Sequence, residues 1–265
     1  MKIRIVILAA ALLAALSFSG AQDVPLHGVA FDGIAFMFSE AIATGVQIEA
    51  VEAGTNVSPF MIQTAESPPH ILFTFLDYIP SDSEEIDREN LRAPVIRVYE
   101  TADLPDFELN GVTYADEAAA LTDLLERRPD LTGEESLPFL PLIPGIQTLN
   151  ARPRYLENDS IDGIAYLTHR ADRAGIVLEG RVFYTFQGFS KDGRYYIAAW
   201  LSVDSGVLPV VFSAKADFDA IMENYDLYKE ARVTALTWQE ADVFYPPLND
   251  LDALFDSFLV TPLSN

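Results

Sequence analysis

The sequence predicts an α+β fold, in which one or two largely antiparallel β-sheets pack against about three helices. Two observations predict the sheet. Several segments alternate apolar and polar residues with the period of two that is typical of half-buried strands. The pair Asp192-Gly193 also lies between two apolar runs, which is a strong signal for a β-hairpin. A third observation predicts the helices, because residues 113–128, 214–232 and 249–258 carry apolar side chains at helical spacing.

The strand candidates extend through both halves of the chain. Val46, Ile48 and Ala50, for example, alternate with polar residues and share one face. Strands that alternate in this way, rather than being continuously apolar, favour antiparallel pairing. The candidates are residues 33–38, 46–50, 71–76, 94–99, 148–156, 163–168, 182–187 and 194–203.

The helix at residues 113–128 has the clearest boundaries. Thr113 and Asp116 have the spacing of a capping box, and Pro129 stops the helix. The acidic segment at residues 81–90 instead predicts a solvated loop, since it has five acids and a single arginine.

The first 21 residues predict a cleaved signal peptide. Lys2 and Arg4 precede an uncharged, mostly apolar run at residues 5–18, and the small residues 19–21 provide a cleavage site. Fourteen residues at 1.5 Å each reach about 21 Å, which is too short for a hydrocarbon core of about 30 Å. Gln22 follows the cleavage site where a lipoprotein would have cysteine, so we expect no lipid anchor.

Residues 22–265 are expected to form a single α+β unit, with a subdivision into 22–130 and 145–265 as the alternative. The segment between these parts is rich in proline, leucine and phenylalanine, which indicates packing rather than a free linker. Residues 32–37 and 162–167 also resemble each other, as Asp-Gly-Ile-Ala-Phe-Met and Asp-Gly-Ile-Ala-Tyr-Leu. Two similar halves, or two similar strands in one sheet, would both explain this likeness.

Composition excludes several classes of protein. The 265 residues carry a formal net charge of −23, which disfavours nucleic acid or an anionic lipid surface as a partner. Without cysteine the chain has no disulfide, thiolate metal site or thiol nucleophile. After cleavage of the signal peptide, no remaining apolar stretch is long enough to span a membrane.

No motif identifies a catalytic, cofactor or metal site. His27, His70 and His169 have none of the spacings that place two metal ligands on one helix, and G-x-S-x-G does not occur. Calcium stays an alternative, because carboxylates are abundant. Residues 157–163 resemble half of an EF-hand loop, but position 12 of that loop would be His169 instead of glutamate. We therefore expect a turn between strands there.

Aromatic residues are concentrated in the predicted hairpin, where residues 183–200 hold seven of the chain's 30. Alternation divides them between the two faces of the sheet. One interpretation places both faces in the core, with Trp200 buried beside Phe183 or Phe186. The other makes one face a binding surface for a sugar or a protein. The residues of that predicted surface are Tyr184, Tyr195, Tyr196 and Trp200.

Three segments together carry a resemblance to a known group. They are Leu-Pro-Phe-Leu-Pro-Leu at 137–142, Phe-Tyr-Thr-Phe-Gln-Gly at 183–188 and Asp-Gly-Arg-Tyr-Tyr at 192–196. In this order the chain resembles a group of uncharacterised exported bacterial proteins, and the resemblance implies export but no residue role. More distantly, Gly28-Val29-Ala30-Phe31 and residues 251–258 are similar to PsbP/Mog1-like α+β modules, which implies a binding or assembly role.

The sequence thus predicts an exported soluble protein of the periplasm or the extracellular medium. We expect a non-catalytic binding or interaction module, whose partner is an envelope or extracellular protein or polysaccharide. The alternative is an exported carboxylate-dependent hydrolase that acts on envelope or extracellular polymers, since 40 acidic residues could supply a pair of catalytic carboxylates.

Overall fold

A computed structural model describes residues 25–56, 65–78, 94–211 and 215–261. The predicted signal peptide and the predicted loop at residues 81–90 lie outside the described residues. The strands are β1 (Leu26–Phe31), β2 (Ile34–Ser39), β3 (Gly45–Val51), β4 (Gly54–Asn56), β5 (Ala65–Ser67), β6 (His70–Leu76), β7 (Val95–Glu100), β8 (Glu108–Leu109), β9 (Val112–Thr113), β10 (Ile146–Glu157), β11 (Ile161–Ala171), β12 (Phe183–Ser190), β13 (Tyr195–Ser202) and β14 (Leu259–Val260). The helices are α1 (Tyr114–Arg127), α2 (Lys215–Glu223), α3 (Tyr225–Trp238) and α4 (Leu248–Asp256), and a 3₁₀ helix covers Thr101–Asp106.

The predicted α+β class is confirmed. Seven strands form a central antiparallel sheet in the order β10-β11-β12-β13-β7-β6-β3. A smaller antiparallel sheet has the order β1-β2-β14. The expected hairpin joins β12 to β13, and Gly193 adopts the positive φ of 72° that its turn requires.

Strands from both sides of the proline-rich segment share the central sheet. Strands β3, β6 and β7 precede that segment and β10 to β13 follow it. Buried residues of both groups, such as Phe73 and Phe186, also belong to one hydrophobic core. Across the described residues the two parts of the chain are therefore joined by one sheet and one core.

One face of the central sheet, here called the α4 face, is covered by the small sheet and α4. Phe36 of β2 stacks on Phe258 with ring centroids 5.4 Å apart, and Phe186 of β12 stacks on Phe255 of α4 at 4.4 Å. These aromatic rings thus belong to one hydrophobic core of the described residues.

The opposite face, here called the α1 face, is covered by α1 and the proline-rich segment. Side chains of the sheet and of α1 form hydrogen bonds with the backbone of that segment. These bonds replace the backbone hydrogen bonds that a helix or a strand would make. The pairs are Gln147 with Leu137, Tyr166 with Pro138, Glu117 with Phe139, and Gln187 with Leu140. The segment is therefore packed, as its composition indicated.

The helices predicted from the sequence are confirmed in part. The capping box is confirmed, because the Asp116 amide donates to Thr113 Oγ1 at 3.0 Å and the Thr113 amide to Asp116 Oδ2 at 2.8 Å. The prediction of a single helix at residues 214–232 is wrong. Asn224 adopts a non-helical backbone, with φ −128° and ψ 42°, and separates α2 from α3, which continues to Trp238.

The two similar segments fold differently at their Asp-Gly pairs. Asp32 and Gly33 have φ of 48° and 78° and form the turn between β1 and β2. Asp162 and Gly163 lie inside β11 and pair with β12. The likeness is therefore structural only in the strand residues that follow each pair.

None of the helices in the described part of the chain has the length and apolar character needed to cross a membrane.

Candidate functional site

The predicted aromatic surface does not exist as an exposed platform. Tyr184 and Tyr196 are fully buried, Trp200 is 5% exposed, and Tyr195 is partly buried. The physical reason is that both faces of the central sheet are covered, so alternation divides the aromatic residues between two cores. The binding-surface interpretation of these four residues is corrected accordingly.

Trp200 belongs to a small aromatic cluster on the α1 face. Its ring stacks on Phe183, with centroids 4.1 Å apart and an interplanar angle of 20°. Phe139 of the proline-rich segment meets Trp200 edge-on at 5.6 Å. The prediction that Trp200 is buried beside Phe183 is confirmed.

The edge of this cluster lines a cleft of about 430 Å³, here called the Trp200 cleft. It forms where β11 ends, β12 begins and β13 ends, and the connecting residues 172–182 surround the opening. The described residues that line it are His169, Arg170, Ala171, Asp172, Gly175, Ile176, Leu178, Gly180, Arg181, Val182, Phe183, Trp200 and Ser202.

Two arginines and one acid supply the charges of the Trp200 cleft. Arg181 and Asp172 are exposed, whereas Arg170 is half-buried. The Arg170 guanidinium lies 5.0 Å from the centroid of the Phe139 ring and donates to the Gly145 carbonyl at 3.1 Å. Burial lowers the pKa of Arg170, but an arginine remains charged at neutral pH. Its Nε is buried and has no hydrogen-bond partner among the described residues.

Further polar groups lie at or beside this site. Nδ1 of His169 is 2.5 Å from Oγ1 of Thr148 on the neighbouring strand. The Tyr78 hydroxyl donates to the Ser202 carbonyl at 2.6 Å, which holds the end of β13 in place. The cleft thus combines an aromatic wall, two arginines, one carboxylate and further polar atoms.

A second cleft, here called the α3 cleft, lies beside the first and has a volume of about 480 Å³. Ile176 lines both clefts. Apart from Tyr228 and Arg232 of α3, the described residues that line this cleft are apolar or glycine.

The three histidines are not brought together. His27 lies on β1 of the small sheet, and His70 and His169 lie on β6 and β11 of the central sheet. Four strand spacings separate β6 from β11, which is about 19 Å. Among the described residues there is no group of three or more His, Asp or Glu side chains placed to hold a metal ion.

The segment that resembles half of an EF-hand loop is a turn. Asn158 Oδ1 accepts hydrogen bonds from the amides of Ser160 and Ile161, at 2.7 and 2.9 Å. Asp162 pairs with Arg128 at 2.8 Å. The side-chain oxygens of Asn158 and Asp162 are therefore engaged with protein groups.

Reasoning from the sequence missed Arg170 and Arg181. A signal was available, because residues 170–181 contain three arginines in a chain that has only 17 basic residues. The site belongs to an antiparallel α+β protein with a ligand-sized cleft at one end of its central sheet. A comparison of the chain with protein-family models, curated proteins and solved structures found no match.

Proposed function

We propose that the protein is a non-catalytic binding module that acts outside the cytoplasm and holds a small ligand in the Trp200 cleft. The ligand has an apolar or aromatic body and one negative charge. The observation that carries this proposal is the pair Arg170 and Arg181 beside the aromatic wall of Phe183 and Trp200. The cleft volume, about 430 Å³, lies in the range of small-molecule sites.

The charge of the cleft supports a negatively charged ligand. The chain as a whole has a formal net charge of −23, yet the described cleft residues include Arg170 and Arg181 against the single acid Asp172. A local surplus of positive charge in an acidic protein favours an anion at that position.

The packing of the aromatic rings supports a small ligand rather than a polysaccharide. A sugar binds tryptophan by stacking on an open ring face. The Trp200 ring is stacked on Phe183 and contacted by Phe139, and only 5% of the residue is exposed. The edge of the ring therefore provides an apolar wall instead of a platform.

The alternative function, a carboxylate-dependent hydrolase, requires two carboxylates about 5–10 Å apart in one cleft. Among the described residues that line the Trp200 cleft, Asp172 is the only acid. No specific observation favours the hydrolase at this site.

Trp200 itself can report the binding. The chain has two tryptophans, so a Trp238→Phe variant retains fluorescence from Trp200 alone. We expect benzoate to change this fluorescence saturably, and benzamide and acetate to bind at least about tenfold more weakly, because each lacks the charge or the ring. A response to benzamide equal to that to benzoate would contradict the proposal.

A matched pair of variants tests the role of the arginine. In the Trp238→Phe background, Arg181→Gln should weaken benzoate binding about tenfold, since it removes a charge that lines the cleft. Arg173→Gln removes an arginine that is also exposed but does not line the cleft, and should leave the affinity unchanged. Equal losses in both variants would indicate a general charge effect and contradict the assignment.

Export is part of the proposal and rests on the predicted signal peptide. When the full chain is expressed in a bacterium, we expect the mature protein outside the cytoplasm, with an N-terminus at Gln22. A protein that stays in the cytoplasm with residues 1–21 intact would contradict this part.

A further inference from the structure

The Trp200 cleft and the α3 cleft adjoin at Ile176, which lines both of them. Ile176 belongs to residues 172–182, which connect β11 to β12. Val177 is buried in the hydrophobic core, whereas Ile176 and Leu178 on either side of it are half-buried and line the Trp200 cleft. The half-buried side chain of Ile176 therefore forms the boundary between two neighbouring clefts.

Hydrogen bonds to the walls of the α3 cleft hold the segment that carries Ile176. The Val177 amide donates to the Tyr228 hydroxyl at 2.9 Å, which joins the segment to α3. The buried carboxylate of Glu179 accepts a hydrogen bond from the Leu208 amide at 3.1 Å. Tyr228 and Leu208 both line the α3 cleft. The boundary between the clefts is therefore held in place by the protein, and a preformed site reduces the ordering cost of binding.

The two clefts offer different chemistry. Arg170 and Arg181 give the Trp200 cleft a surplus of positive charge over Asp172. Of the described residues that line the α3 cleft, Arg232 is the only charged one. Its guanidinium lies 5.2 Å from the centroid of the Tyr228 ring, so a cation–π contact within the protein already engages this charge. The α3 cleft therefore offers a ligand mainly apolar surface.

We propose that the two clefts together bind a fatty acid. Its carboxylate lies beside Arg170 and Arg181, and its acyl chain crosses Ile176 into the α3 cleft. This inference rests on the proposed function and names the class of ligand for that site. One carboxylate and one chain match one positively charged cleft and one apolar cleft. The volumes of about 430 and 480 Å³ together stay within the range of about 300–1,000 Å³ that is typical of a single small-molecule site.

The α3 cleft should make the affinity depend on chain length. A methylene group that becomes fully buried tightens binding about fourfold. The chain passes over a half-buried residue and stays partly exposed, so we expect about twofold for each methylene. Benzoate occupies the Trp200 cleft alone. Benzoate therefore tests the proposed function, and the length of the acyl chain tests this inference.

The experiment uses the Trp238→Phe variant at pH 7, with Trp200 fluorescence and calorimetric titration as measurements. The ligands are hexanoate, octanoate and decanoate at concentrations that form no micelles. We expect decanoate to bind at least about tenfold more tightly than hexanoate. Arg181→Gln should weaken decanoate and benzoate alike, by about tenfold, because the carboxylates of both ligands lie at the same position.

A pair of variants tests the path of the chain. Ile221 of α2 lines the α3 cleft, so Ile221→Ser should weaken decanoate about fivefold and leave benzoate unchanged. Leu227 of α3 is 67% exposed and lines neither cleft, so Leu227→Ser should change neither affinity. If Ile221→Ser does not fold, the chain-length series in the Trp238→Phe variant decides.

Several results would overturn the inference. Benzoate binding together with equal affinities for hexanoate and decanoate would exclude the acyl chain from the α3 cleft and leave the proposed function intact. Decanoate binding that is unchanged in Ile221→Ser, or that falls equally in Leu227→Ser, would place the chain elsewhere. Decanedioate that binds more tightly than decanoate would place a second anion beside Arg232 and contradict an apolar role for this cleft. A failure of benzoate and of all three fatty acids to bind would contradict the proposed function as well.

Discussion

The side chain of Gln187 forms two hydrogen bonds with the backbone of Leu140, which is 47 residues away in the chain. The Leu140 amide donates to Gln187 Oε1 at 2.9 Å, and Gln187 Nε2 donates to the Leu140 carbonyl at 3.1 Å. The hydroxyl of Tyr196 also donates to Gln187 Oε1, at 2.8 Å. The three segments whose order resembles the exported bacterial group, at 137–142, 183–188 and 192–196, thus meet at one buried amide.

Replacement of this amide should be costly. Gln187→Leu keeps the approximate volume but leaves the Leu140 amide, the Leu140 carbonyl and the Tyr196 hydroxyl without their partner in a buried site. We expect the free energy of unfolding to fall by about 3 kcal/mol or more in urea denaturation. Gln147→Leu is the matched control, because Gln147 forms the same pair of bonds with Leu137 but is only partly buried. Water can replace its bonds, so a loss as large as that of Gln187→Leu would contradict this argument.

The two tryptophans provide a second comparison. Trp200→Ala removes a ring that is stacked on Phe183 and only 5% exposed, and should cost about 3–5 kcal/mol as a large-to-small core change. Trp238 is 82% exposed, so Trp238→Ala should change stability by less than about 0.5 kcal/mol. Similar costs for the two variants would mean that Trp200 is not part of the core.

Two facing glycines make room for Phe186. Gly163 of β11 pairs with Gly188 of β12, and a Cβ at Gly163 would lie 2.5 Å from the Gln187 carbonyl oxygen and 2.7 Å from the Phe186 ring. We expect Gly163→Ala to lower the free energy of unfolding by at least about 2 kcal/mol, because backbone and a packed ring would have to move. Gly28 of β1 has no atom within 4 Å of an added Cβ, so Gly28→Ala should be neutral or slightly stabilising. A neutral Gly163→Ala would show that the two strands can separate without cost.

His70 should make stability depend on pH. Burial lowers its pKa from 6.5 to about 4, so between these values the unfolded chain binds more protons than the folded protein. The stability that neutral His70 permits is complete above pH 6.5 and is lost as the pH falls towards 4. Between pH 7.5 and pH 5 we expect His70 to account for a loss of about 2 kcal/mol in the free energy of unfolding. His70→Gln should reduce the difference between these two pH values by that amount, and an unchanged difference would contradict the prediction.

Net charge leads to a prediction about salt. Cleavage of residues 1–21 removes two bases and no acid, and so changes the net charge from −23 to about −25. Screening with a Debye length of about 10 Å at 0.1 M salt should relieve part of the repulsion, so Tm should rise between 10 and 500 mM NaCl. A flat Tm would contradict this. Calcium at matched ionic strength should raise Tm further only if a carboxylate group binds it.

Local patterns in the sequence were sufficient to predict most of the strands and helices. Strands such as β3 and β6 follow from alternation, α1 from its capping box, and the β12–β13 hairpin from Asp192-Gly193. Each of these signals lies within one segment of the chain and acts through the backbone of that segment. The signal is therefore present whichever other segments pack against it. The break at Asn224 was missed because the apolar spacing continues on both sides of it.

The candidate sites depend on contacts between distant segments, which no local pattern carries. Tyr184 and Tyr196 are buried because α4, α1 and the proline-rich segment cover both faces of the sheet. Arg181 is near Trp200 only because β11 ends where β12 begins and β13 ends. The same holds for Arg170. Its charge is visible in the sequence, but its position beside the Phe139 ring is decided by the fold, since hydrogen bonds and ion pairs act over only a few ångströms.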